Sequence, residues 1–208
     1  MARKPLTKPR KIASQARSRA TVDALVEATA RILVEEGFDK TSTNRIAEVA
    51  GVSVGSLYQY FPGKDSLVAA VIDRHRQEIM RTVRKGLAGI FDLPVEQAVR
   101  KLVAIGVEAH RIDPRLHRVL AEQIPRVGKL KELEAFSREN YALFRAYLER
   151  HRAELRVENL ELASFVCATS IEALTHNAVL HHSRMLSDKM MEALIDEGAR
   201  LVTGYLKG

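Results

Sequence analysis

The stretch TNRIAEVAGVSVGSLYQYF, residues 43–61, can be parsed in two ways, and the choice between them sets the fold. Gly51-Val52-Ser53-Val54-Gly55 matches G-x-S-x-G, the pattern of a hydrolase nucleophile elbow. An elbow needs a buried strand entering the serine and a helix leaving it. The residues that precede Ser53 are charged at Arg45 and Glu48 and space Ile46, Ala47 and Ala50 as a helix does. A serine hydrolase built on Ser53 is therefore the lesser alternative. The better parsing places a helix of about two turns after the capping hydroxyls of Thr41 to Thr43, with Gly51 ending it in a left-handed conformation. Ser53 then caps a third helix through Leu57, Tyr58 and Phe61, which Pro62-Gly63 breaks. Two short helices joined at a glycine make a helix-turn-helix.

Working outward, Val22, Leu25, Val26, Ile32 and Leu33 form an apolar stripe at helical spacing that begins near Ser18 and stops at Gly37. On the other side, Lys64 to about Lys85 carries Leu67, Val68, Val71, Ile72, His75 and Ile79 as a longer amphipathic helix. Gly86, Gly89 and Pro94 mark a boundary. Five further helices are expected at 95–112, 115–124, 129–155, 159–182 and 188–206, with no alternating strand pattern and no internal repeat. The expected fold is all-α with about nine helices. A flexible basic arm (1–17) precedes a three-helix helix-turn-helix head (18–64), a connecting helix (64–85) leads on from it, and a larger helical body follows (86–208).

Composition agrees. Ala, Leu, Val, Glu and Arg abound, Trp is absent, and the 208 residues suffice for both parts. The lone Cys167 excludes an internal disulfide, no apolar signal segment follows the basic N-terminus, and 162–180 is too polar to span a bilayer, so a cytoplasmic location is expected. The formal charge of +7 is unevenly placed. Arg3, Lys4, Lys8, Arg10, Lys11, Arg17 and Arg19 lie in a stretch without an acid, and the remaining 26 basic residues balance 26 acidic ones. A basic arm on a neutral body suits a partner that is a polyphosphate, although a solvated tail that aids solubility has the same signature.

The third helix has the chemistry of a DNA reader. Val54, Gly55 and Ser56 are small and would allow close approach to base edges; Val54 could meet a thymine methyl, Ser56 could donate or accept, and Gln59 could read an adenine. Tyr58 and Tyr60 point in different directions and could contact phosphates, and Lys64 stands at a helix start where an anion is favoured. Ile46, Ala47, Val52, Leu57 and Phe61 are expected to form the core of the head.

TSTNRIAEVAGVSVGSLYQYFPGKDSLVAAVI, residues 41–72, resembles the DNA-binding signature of TetR-type transcriptional regulators, as does the preceding V-E-E-G-F-D-K-T. The resemblance implies phosphate contacts from Thr43, Tyr58, Tyr60 and Lys64, and groove contacts from Asn44, Val54, Gly55, Ser56 and Gln59. Gly63 departs from the polar cap common in the family, but glycine remains an acceptable N-cap. The arm is longer than the family minimum; it either follows DNA or is a disordered tail. The resemblance also implies a ligand-sensing, dimerising body, hence a homodimeric regulator of the repressor type on palindromic double-stranded DNA. In that scheme the 64–85 helix acts as a lever that an effector would move. An architectural nucleic-acid binder without a sensor is the other alternative.

Within the body, the 159–182 segment is apolar or small on nearly every side and calls for cover on every face. Ile171 and Leu174 there, with Met191, Leu194, Ile195, Gly198, Leu201, Val202 and Tyr205 of the last helix, are expected at a four-helix dimer interface. Phe136, Tyr141, Phe144 and Tyr147 could wall an effector pocket with His110, His117, Cys167, Glu172 and His176 as its polar groups, although ordinary core packing accounts for each of them singly. No cofactor is expected, and no metal: there is no HExxH or paired-Cys pattern, and Pro114 separates His110 from His117.

Overall fold

The computed structural model describes residues 7–10, 16–123, 130–181 and 187–208; for 130–137, 139–140 and 181 the backbone alone is described. Among the described residues there are nine α-helices and no strand. They are α1 (Ala16–Glu36), α2 (Thr43–Ala50), α3 (Val54–Tyr60), α4 (Lys64–Leu87), α5 (Val95–His110), α6 (Pro114–Gln123), α7 (Leu130–Arg150), α8 (Leu160–His181) and α9 (Asp188–Lys207). None of the described helices is long and apolar enough to cross a membrane.

Two compact units are present. The first draws on Met1–Gln77 and Arg115–Lys131, the second on Glu78–Pro114 and Glu132–Gly208. In the first, Leu25, Ile32 and Leu33 of α1 meet Ile46 and Ala47 of α2, Leu57, Tyr60 and Phe61 around α3, and Leu67, Val68 and Val71 of α4. Thr29, the polar step in the α1 stripe, is fully buried and donates its hydroxyl to the Leu25 carbonyl at 2.7 Å, which satisfies it inside an apolar environment. Leu116 and Leu120 of α6 join this core, so the unit is discontinuous in sequence and larger than the expected 18–64 segment. His117 of the same helix is hydrogen-bonded to His75 of α4, Nδ1 to Nε2 at 2.9 Å.

In the second unit α5 is central, packed against α8 and α9. Close approach is allowed by small residues at the crossings. A Cβ on Gly106 would lie 3.1 Å from Thr175 of α8, and one on Gly198 of α9 would lie 3.1 Å from Val103 of α5. Met191, Ile195, Gly198 and Val202 of α9 therefore face inward, into a core with Val99, Val103, Val107, Phe144, Tyr147, Leu148 and Cys167. Burial in this apolar surrounding pushes the Cys167 thiol up to about 12.

The α7 helix stops at Arg150, five residues before the expected end, although no Pro or Gly stands there. The cause is tertiary. His151 donates from Nδ1 to Glu154 Oε1 at 2.8 Å and from Nε2 to the Phe91 carbonyl at 3.0 Å, and its ring stacks on Tyr147 with centroids 4.4 Å apart. Two acceptors on opposite ring nitrogens require both to be protonated, so the Phe91 carbonyl first and Glu154 second raise the His151 pKa above its ordinary 6.5. The His151 hydrogen bond in turn holds Glu154 below its ordinary 4.5. A raised folded-state pKa stabilises below the unfolded value and loses that effect as pH rises through the folded one; the lowered Glu154 does the reverse on the acid side. The clasp is therefore strongest between about 4.5 and 6.5. His151→Gln is expected to lower the melting temperature more at pH 5.5 than at pH 8.5, and an equal loss at both would refute a charged His151.

Candidate nucleic-acid interface

The interface is built by the two short helices and the turn between them. Ser42 caps α2, its Oγ accepting from the Arg45 N–H at 3.2 Å. At the other end Gly51 adopts φ 67, ψ 30, the Gly51 N–H donates to the Glu48 carbonyl (3.1 Å) and the Val52 N–H to that of Ala47 (3.0 Å), which together form a Schellman stop. A Cβ on Gly51 would meet nothing within 4 Å, so backbone conformation rather than space requires the glycine. Arg45 is tied to Glu36 and Glu48, both at 3.2 Å, which couples α2 to the end of α1 and keeps its pKa above the ordinary arginine value.

Ser53 opens α3. Its Oγ accepts from the Ser56 N–H at 3.1 Å and lies 2.8 Å from the Ser56 hydroxyl. The residues before it are helix and turn, not strand, and its oxygen is occupied as a cap. Ser53→Ala is expected to cost about 1 kcal/mol of stability and to weaken DNA binding modestly by fraying the end of α3. A melting curve with a duplex titration checks this, and unchanged stability would show that the cap contributes nothing.

The two faces of α3 differ sharply. Leu57 and Tyr60 are buried with Phe61 in the core of the head, and Tyr60 retains only 9% of its surface. Val54, Gly55, Tyr58 and Gln59 are exposed, Tyr58 by 40%. The two tyrosines thus diverge, and Tyr60 is the one that points inward, because it sits three residues after Leu57 on the same face. Tyr58 does more than stand in solvent. Its hydroxyl lies 3.2 Å from Thr43 Oγ1, which joins the first turn of α2 to the outer face of α3, with the exposed Asn44 beside Thr43. Lys64 starts α4 with its ammonium donating to the Phe38 carbonyl at 3.0 Å and 4.0 Å from the centre of the Phe38 ring. An ammonium has three donors, so this contact anchors Lys64 without using it up. One contributor escapes sequence reasoning: Arg10 donates to carbonyls in the last turn of α3, and nothing local in the arm signals it.

The residues expected to line an effector pocket are divided between the two units. His117 lies in the first unit. In the second, His110 and His176 meet edge to face at 5.3 Å, with His110 Nδ1 donating to the Gly106 carbonyl at 2.7 Å. Tyr141 packs on Phe165 at 5.7 Å and its hydroxyl reaches that of Thr169 at 3.3 Å. Phe144, Tyr147 and Cys167 belong to the buried core, Tyr147 donating to the Leu93 carbonyl at 2.8 Å, and Glu172 is exposed. The side chain of Phe136 lies outside the described residues. A cleft of about 580 Å³ opens elsewhere in that unit, between the C-terminal half of α5 and the start of α9. Ala104, Val107, Met191 and Ile195 line it, with Glu108 and Arg111 at its polar side, and none of the eight expected residues whose side chains are described does.

The expected dimer residues divide likewise. Met191, Ile195, Gly198 and Val202 are inside the chain's own core, as is Ile171, and Leu174 and Leu194 are half-buried. Leu201 and Tyr205, one turn apart on α9, remain exposed at 57% and 41%. Leu162 and Phe165 of α8 are exposed beyond half of their surface, although the notion of a face for them could not be read from a helix apolar on nearly every side.

Comparison with known proteins gives a consistent picture. A family model described as bacterial regulatory proteins, tetR family, matches residues 25–71, and one described as tetracyclin repressor-like, C-terminal domain, matches residues 94–206. The nucleoid occlusion factor SlmA of Haemophilus ducreyi is 30% identical over 86 residues, 41% of this chain and 42% of that protein. The HTH-type transcriptional repressor KstR of Mycolicibacterium smegmatis is 36% identical over 66 residues, 31% of this chain and 32% of its own. The chain thus matches less than half the length of these curated relatives. Among solved structures, SmeT, the repressor of the Stenotrophomonas maltophilia multidrug efflux pump SmeDEF, is similar with a TM-score of 0.64 at 19% identity, covering 92% of each chain; at that identity the likeness is one of fold.

Proposed function

Because the chain belongs to the TetR family of bacterial regulatory proteins, we propose that it is a DNA-binding repressor that holds a palindromic operator as a homodimer and is released by a small molecule. The observation that carries the DNA reading is the two-faced α3: Leu57, Tyr60 and Phe61 fasten it to the head, while Val54, Gly55, Tyr58 and Gln59 are left outward with Thr43 bonded to Tyr58. A helix held this way can lay its first turn against base edges in a major groove, Thr43 and Tyr58 gripping phosphate to either side. Repression follows from occupancy, since a protein bound at a promoter excludes competing machinery.

Support for a dimer comes from Leu162 and Phe165 of α8 and Leu201 and Tyr205 of α9, which are large, apolar or aromatic, and exposed at i,i+3 and i,i+4 spacings. Two-fold pairing would present two α3 helices to half-sites about 34–36 Å apart. The 580 Å³ cleft is of a size for a small molecule, with an apolar floor and a rim charged by Glu108, Arg111, Asp188 and Glu192, and an effector that binds one conformation better would shift the population toward it.

Selection from random duplexes with the purified protein tests the reading. Enrichment of an inverted repeat is the expected result, and enrichment of nothing, or of sequences without symmetry, would overturn the palindromic operator. A small-molecule screen for release from the selected DNA, repeated with Met191→Trp to fill the cleft, then tests the effector: release lost in the variant is expected, and release unchanged would place the effector elsewhere.

A further inference from the structure

Arg10 lies on the basic arm, outside the helices, yet it is bonded to the end of α3. Its backbone N–H donates to the Tyr60 carbonyl at 2.7 Å, and its guanidinium Nη1 donates to the Tyr58 carbonyl at 3.3 Å. A helix leaves its last carbonyls without intrahelical partners, and its C-terminal end carries partial negative charge. The chain leaves α3 at Phe61 in an extended conformation, φ −121 and ψ 126, so no further turn of helix supplies donors to Tyr58 and Tyr60. Arg10 supplies both from a distance of about fifty residues, and its positive charge suits that end of the helix.

We infer that Arg10 pins the basic arm to the recognition helix so that Lys8 and Arg10 contact the phosphates bordering the groove that α3 enters. This rests on the DNA-binding function proposed above. The anchor is on the recognition helix itself: both accepting carbonyls belong to the last turn of α3, where Tyr58 carries its side chain outward and Tyr60 buries its own. Lys8, Pro9 and Arg10 are all exposed, and Pro9 restrains the approach of the chain to Arg10 by fixing its own φ. The stretch has no acid through residue 19, so nothing within it neutralises the cations. A free tail would offer the same charge at a low effective concentration; two hydrogen bonds to α3 hold it where the phosphates of an occupied site run.

The test is the salt dependence of duplex affinity for the full chain, measured on the selected operator. Lys8→Ala is expected to reduce the slope of log affinity against log salt by about 0.9, the value for one phosphate. Arg10→Pro, which removes the N–H and the guanidinium together, is expected to reduce it by about 1.8, because it frees Lys8 as well as losing its own charge. The double variant is then expected to match Arg10→Pro alone, a coupling that independent charges do not show. Slopes unchanged in all variants would overturn the inference, and strictly additive losses would overturn the anchor. Melting curves of the exposed-site variants within a few degrees of the unsubstituted chain, together with retained affinity at low salt, keep unfolding apart from these outcomes. If the unsubstituted chain binds no duplex in a salt-dependent way, the DNA-binding function itself fails.

Discussion

A Gly55→Glu protein is expected to fold and melt as the unsubstituted chain does while losing operator binding. Gly55 is the second residue of α3, exposed, and without the left-handed backbone that would demand glycine. A Cβ there would meet only Ser53 Oγ, at an ordinary 3.9 Å. A side chain is therefore accommodated, and glutamate replaces a poor helix former and places a negative charge in the first turn, where the helix dipole favours it. Stability is expected to stay level or rise by about 0.5 kcal/mol. The same carboxylate stands where the proposed reading puts base edges and phosphates, and an unpaired like charge at such a contact costs several kcal/mol. Affinity should fall by about 100-fold or more, or about 2.7 kcal/mol. A variant that melts normally and binds the operator undiminished would remove the first turn of α3 from the interface.

The opposite pattern is expected two residues on. Leu57→Ala empties a site with no exposed surface at the centre of the head core, against Ile46, Phe61 and Leu67 among others. Deleting a buried leucine costs about 2–5 kcal/mol, from lost transfer energy and from the cavity left behind. In a unit of about this size each kcal/mol lowers the melting temperature by about 4–8 °C. DNA binding would be lost in step with unfolding of the head and recovered on cooling. Tyr58→Ala, the neighbouring substitution, should leave the stability within about 0.5 kcal/mol of the parent, as exposed positions do, and weaken binding alone. Thermal melting followed by circular dichroism, with duplex titration below the transition, separates the three variants. Equal melting of Leu57→Ala and Tyr58→Ala would contradict the inward and outward assignment of α3.

Much of the local architecture is legible because short-range sterics and hydrogen bonding produce it. Gly51 is a stop since only glycine takes φ 67 without strain; Ser53 is a start since a serine oxygen reaches the N–H three residues on. Pro62-Gly63, Pro94 and Pro114 bound their neighbours for similar reasons. The end of α7 was hidden, because the clasp of His151 onto Phe91 and Glu154 involves a residue 60 positions away. Of the two tyrosines on α3, Tyr60 shares the face of the expected core residue Leu57 by its i,i+3 spacing, so the inward ring was legible, whereas the bond from Tyr58 to Thr43 of α2 depends on how the two helices pack.

Residues 43–61 therefore carry in their own order the helix-turn-helix, its caps and the apolar face that must be buried, since these depend on backbone sterics and on spacing along a helix of 3.6 residues per turn. Assembly placed α6 in the core of the head, turned Met191, Ile195, Gly198 and Val202 into their own unit, opened the cleft away from the aromatic residues, and bonded Arg10 to α3. Hydrophobic burial is non-directional: a stripe of apolar residues states that it will be covered, and packing among distant segments selects what covers it.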